Sequence, residues 1–203
     1  MISLPTGRMK SREGNVVDAD DIMSEVISLA KKEVIVRHPE ISVKEADMRA
    51  RSIGMAALKF FILKYDNTTS FVYNPEESLS FEGDTGPYVQ YAYARICSIM
   101  KKAVKKSRSA DFSLLTSQQE ISLLNALNTF PEAVENAAKS YRPSIIARYA
   151  LDLAQKFNEF YHSCQILKEE EKIMTARLTL CRAVQQVLRN SFHILNIDAC
   201  EEM

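Results

Sequence analysis

The alternation of apolar and polar positions along the chain gives a series of helical periods and no strand-like run. Ile22, Val26 and Leu29 recur at helical spacing, with Met23, Ile27, Ala30 and Val34 on the adjoining row. Asp18, Asp20 and Asp21 precede them, where carboxylates accept free N–H groups and oppose the helix dipole. His38-Pro39 ends this helix, because the residue before a proline is pushed out of the α region. Ser42 with Glu45 has capping-box spacing and opens a second helix reaching Leu63. Its apolar residues surround most of the circumference, so it is expected to be largely buried.

Residues 66–86 contain Pro75, Gly83 and Gly86 and read as an irregular connection with a short helical turn around Glu76 to Leu79. A connection this long inside a compact domain usually has a task. Thr85-Gly86-Pro87 starts a helix predicted to run to about Ser107. Ser117 with Glu120 opens another that ends near Asn128, and Pro131 begins a short successor that stops before Arg142-Pro143. Ile146, Leu153, Phe157, Phe160, Cys164 and Leu167 mark one face of a helix over 144–167. Met174, Leu178, Cys181, Val184, Leu188, Phe192 and Leu195 mark the last. The expected fold is all-α: a bundle of about five major helices behind an irregular N-terminal loop.

Composition narrows the function classes. With 26 basic and 26 acidic residues the chain has no net charge, so any attraction to a polyanion must come from local asymmetry. No window approaches 18 uninterrupted apolar residues, so neither a membrane span nor a membrane partner is expected. The N-terminus lacks the basic-then-apolar plan of a signal peptide. Cys97, Cys164, Cys181 and Cys200 are widely spaced, which argues for a reducing, intracellular setting and against zinc or a disulfide framework. His38, His162 and His193 are isolated from one another, so no metal site is expected. No G-x-S-x-G, G-x-x-x-x-G-K or G-x-G-x-x-G occurs.

The asymmetry lies on the helix that begins at Pro87. Val89, Ala92, Ile96, Met100 and Ala103 cluster on one side and make its core face. Tyr88, Tyr91, Arg95, Lys102 and Lys106 fall together on the other. Arg95, Lys101, Lys102, Lys105, Lys106 and Arg108 have no acidic residue among them. Two exposed rings followed by a cationic stripe suit looped or single-stranded RNA, with rings for unstacked bases and charges for phosphates. The alternative is a solvated basic face with half-buried tyrosines.

Three segments carry a family resemblance. Ser80-Phe81-Glu82-Gly83-Asp84-Thr85-Gly86-Pro87-Tyr88-Val89-Gln90-Tyr91-Ala92-Tyr93-Ala94-Arg95 closely resembles the opening of the anticodon-binding domain of arginyl-tRNA synthetases. Arg8-Met9-Lys10-Ser11-Arg12-Glu13-Gly14-Asn15-Val16-Val17 resembles the K-M-S-K-S signature loop of class I synthetases, and Ala154-Gln155-Lys156-Phe157-Asn158-Glu159-Phe160-Tyr161 resembles that family's C-terminal bundle. The segments occur in the family's order and span almost the whole chain.

The resemblance implies the C-terminal part of an arginine–tRNA ligase. Such a part runs from the last active-site loop through the anticodon-binding domain, without the Rossmann-type ATP fold, its H-x-G-H motif or the module that binds the tRNA elbow. It implies residues 1–17 as the signature-loop remnant, 18–65 as connecting helices facing the tRNA stem, and 66–203 as the anticodon-binding bundle. The implied ATP loop comprises Arg8, Met9, Lys10, Ser11 and Arg12. There Arg8 takes the first lysine position and Ser11 stands where the second would neutralise phosphate charge, a departure common in this family. Lys10 and Arg12 both remain open as its replacement.

Tyr88, Tyr91 and Tyr161, together with Met203, correspond to positions near the anticodon loop. The implied partners are arginine tRNA and, for the parent enzyme, arginine and ATP with magnesium. The fragment itself is expected to be an inactive, cofactor-free cytoplasmic monomer. Two other readings are a fragment of a related class I synthetase such as the cysteinyl enzyme, and a helical protein-interaction domain with a basic face.

Overall fold

The computed structural model describes residues 2–4, 7–8, 18–103 and 110–203. Helix α1 (Ala19–Arg37) starts after Asp18, with Asp20 and Asp21 in its first turn, and stops at His38 ahead of Pro39. Helix α2 (Val43–Leu63) is capped by Ser42, whose hydroxyl accepts the Glu45 N–H at 3.3 Å. The Glu45 carboxylate accepts from Arg49 at 2.6 Å, one turn along the helix.

A short α3 (Pro75–Ser78) follows, capped by the Asn74 side chain. Then comes α4 (Gly86–Lys102), capped by Thr85, whose hydroxyl accepts the Tyr88 N–H and donates to the Ser80 carbonyl. Helix α5 (Gln118–Asn128) carries the full reciprocal box of Ser117 and Glu120. Helices α6 (Phe130–Ser140), α7 (Ser144–Ser163) and α8 (Glu171–Leu195) complete the bundle. The five longest are α1, α2, α4, α7 and α8, the major helices expected from the periodicity.

The structure departs from the expected elements at three points. The irregular N-terminal loop contains β1 (Ile2–Leu4) and β2 (Gly7–Arg8), which join β3 (Phe71–Val72) in a small sheet of order β2-β1-β3. β1 pairs antiparallel with β2 and parallel with β3 in the register Ile2 to Phe71 and Ser3 to Val72. Strands of two or three residues leave no room for alternation, and the parallel partner is remote in sequence. Helix α4 ends at Lys102, short of Ser107, because Lys101–Lys105 and Lys102–Lys106 would set like charges one turn apart and oppose extension. Similarly α7 stops at Ser163 and leaves Cys164 as an extended cap.

The helices bury two apolar clusters. The larger takes residues from α2 and from α4 to α8, with Phe60, Tyr93, Ile96, Leu123, Phe157, Phe160 and Phe192 among its members. The smaller lies between α1 and α2 and holds Val26, Ala30, Val34, Ala50, Ile53 and Leu79. Helix α2 is common to both: Ala56 and Phe60 face one cluster, Ala46, Ala50, Ile53 and Ala57 the other. At Gly86 a Cβ would lie 2.4 Å from the Ala56 carbonyl oxygen, so only glycine lets α4 begin this close to α2.

Candidate nucleic-acid interface

Helices α4 and α7 bring the aromatic and cationic residues together. The Arg95 guanidinium lies 4.8 Å from the Tyr91 ring centre and 4.7 Å from that of Tyr161, a cation between two rings. Its Nη1 donates to Asn158 Oδ1 at 2.6 Å, and Asn158 Nδ2 donates to the Tyr88 hydroxyl at 2.9 Å. Asn158 stands one turn before Tyr161, so a single amide fixes both the arginine and the neighbouring tyrosine. Phe81 backs Tyr91 edge-on at 6.3 Å and is itself covered by Arg37 at 3.9 Å. Tyr91 and Tyr161 remain more than a third exposed, so each offers ring surface to a ligand.

The structure thus groups Tyr91, Arg95 and Tyr161, while Tyr88 is half-buried and packs on the edge of the large cluster. Lys102 is exposed at the end of α4. Lys106, Met9, Lys10, Ser11 and Arg12 lie outside the described residues, and of Arg8 only the backbone, in β2, is described.

Met203 packs against the small cluster and also lines a cleft of about 510 Å³ shared with His38, Arg49, Tyr91, Arg95, Lys101 and Tyr161. A second hollow of about 350 Å³ adjoins it across Arg95 and Tyr161 and reaches Lys102. The two hollows share Arg95, Ser98 and Tyr161, and their lining combines rings that can stack on bases, cations that can meet phosphates, and the carboxylates of Glu201 and Glu202.

Sequence reasoning did not single out Asn158, Phe81 or Arg49, and named Lys101 only as a member of the basic run. Asn158 and Phe81 stand inside the two family-like runs and could have been singled out there. Arg49 comes from α2 by a tertiary contact that carries no local signal.

Burial pushes the Cys181 thiol up to about 12, and burial likewise raises Cys97 and Cys200. No group of His, Cys, Asp and Glu among the described residues could hold a metal ion. No described helix is long and apolar enough to cross a membrane.

The helical bundle presents rings and cations on one face, and residues 89–203 match the DALR anticodon binding domain. The chain belongs to that family. Over its whole length it is 39% identical to the arginine–tRNA ligase of Parabacteroides distasonis and 43% identical to that of Treponema pallidum, covering 35% and 36% of those proteins. The arginyl-tRNA synthetase of Thermus thermophilus superposes on all of the chain with a TM-score of 0.90 at 31% identity, over 34% of its own length. That of Plasmodium falciparum superposes on 92% of it with a TM-score of 0.83 at 26% identity. The chain spans about a third of the length of the curated relatives it matches, and it resembles the C-terminal part of arginyl-tRNA synthetase.

Proposed function

We propose that the chain is the tRNA-recognising part of an arginine–tRNA ligase and that its ring-lined cleft receives the anticodon loop of arginine tRNA. The observation that carries this reading is Arg95 held between Tyr91 and Tyr161 on an anticodon-binding fold. Tyr88 and Met203 flank the bases, and Lys102 and Lys106 meet backbone phosphates. The parent reaction is ATP-dependent activation of arginine, with magnesium on the nucleotide, followed by transfer to the terminal adenosine of the tRNA. In it Arg8 to Arg12 belong to the loop over ATP, residues 18–65 face the tRNA stem, and 66–203 hold the anticodon. The setting is cytoplasmic and the chain a monomer.

The test is a titration of the 203-residue chain with an arginine-tRNA anticodon stem-loop against a polyanion of equal charge and length. Preference for the stem-loop that persists as salt rises supports the reading. Equal displacement by the polyanion at every salt concentration overturns it, in favour of a basic face that takes any acidic partner.

A further inference from the structure

The segment after α8 lines the cleft with its last three residues and places two carboxylates, Glu201 and Glu202, among its cations. It is anchored at both ends. Ile197 is buried in the large cluster, Gln90 Nε2 donates to the Asp198 carbonyl at 2.8 Å, and Met203 packs against the small cluster. Between these anchors Glu202 bridges two helices: Oε1 accepts from Lys101 Nζ at 2.6 Å and Oε2 from Arg49 Nη2 at 3.0 Å. A guanidinium and an ammonium converging on two oxygens of one anion is the geometry by which proteins hold phosphodiesters.

Arg49 is largely buried, so its position is set by packing, whereas Glu202 is well exposed. The Lys101–Glu202 pair is exposed on both sides and contributes little net stability, and Arg49 keeps its bond to Glu45 at 2.6 Å when Glu202 leaves, so a competing anion exchanges with Glu202 readily. The seat also opens into the same cleft as Tyr91, Arg95 and Tyr161. A base stacked on those rings therefore brings its backbone toward Arg49 and Lys101.

We propose that Arg49 and Lys101 form a phosphodiester seat of the RNA cleft, and that Glu202 fills it in the free chain and is displaced when single-stranded RNA enters. This rests on the RNA-binding reading above. The Glu202 carboxylate thus competes with the ligand it resembles, disfavouring polyanions that offer no base to the rings and so cannot offset its displacement.

The experiment measures binding of a fluorescently labelled arginine-tRNA anticodon stem-loop to the 203-residue chain and its variants over a salt series. Glu202→Gln should tighten binding about threefold to fivefold at low salt. Glu135→Gln makes the same change in net charge on α6, off the cleft, and should leave binding unchanged. Lys101→Gln, at an exposed position that spares the fold, should weaken binding to every RNA tested and lower the salt slope by about 0.7. The proposal falls if Glu202→Gln binds no more tightly than Glu135→Gln, or more weakly, while the unaltered chain binds the stem-loop. If no variant binds the stem-loop, the RNA-binding reading falls and the seat with it.

Discussion

Arg95 is fixed before any ligand arrives, by Asn158 on one side and two rings on its faces. Preorganisation of this kind removes an entropic cost from binding. It also separates the roles of neighbouring side chains. Tyr91→Ala and Tyr161→Ala should each cost about 1–3 kcal/mol in stem-loop affinity, with the salt slope nearly unchanged and preference for the arginine anticodon loop eroded. Lys102→Ala should weaken all RNAs alike and flatten the salt dependence by about one unit. Fluorescence anisotropy across a salt series distinguishes the two patterns, and tyrosine variants that changed only the salt slope would contradict the assignment. That Tyr91 and Arg95 share a helix face was legible in the sequence from their spacing of 4, whereas the burial of Tyr88 against the large cluster was not. Arg49 and Lys101 were not, because their convergence on Glu202 depends on how α2 and α4 pack, which no local spacing encodes.

Capping and close approach decide the behaviour of single helices. Glu120 is 1% exposed, and burial alone would raise its carboxyl. The Arg177 hydrogen bond at 2.6 Å and the Ser117 N–H at 2.8 Å outweigh that and hold it below the usual range. A lowered carboxyl contributes stability that is fully present above the ordinary value of about 4.3 and is lost as pH falls through the folded-state value. Glu120→Gln should therefore cost about 2–3 kcal/mol at neutral pH, and its deficit against the unaltered chain should shrink toward pH 3. Urea unfolding at several pH values measures this, and a deficit that stayed constant would refute it. At the start of α4, Gly86→Ala would drive a methyl into the Ala56 carbonyl and should destabilise the chain by at least about 2 kcal/mol. An unchanged unfolding midpoint would show that α4 can move aside. The Ser117–Glu120 box was readable because both halves are local. The end of α4 was harder to read, because apolar periodicity says nothing of the repulsion among the lysines that follow.

At the scale of the molecule, the described residues contain an anticodon-binding domain of the DALR family and no parallel-stranded fold of the kind that binds ATP. The purified 203-residue chain should therefore neither exchange pyrophosphate in the presence of arginine nor charge tRNA, since an ATP loop without its scaffold cannot hold phosphates in place. Turnover above a no-protein control would overturn this. The bundle and its major helices were legible because each helix carries its own apolar stripe. The small sheet was not, because it joins strands too short to have a period. Helix α2 has a further consequence. It is walled into both apolar clusters, and Gly86 holds the start of α4 against its backbone. With 21 residues rising about 1.5 Å each, it is one continuous helix of about 30 Å. The two clusters thereby share a single wall: a substitution that shifts α2 disturbs the packing on its α1 face and on its α4 face together.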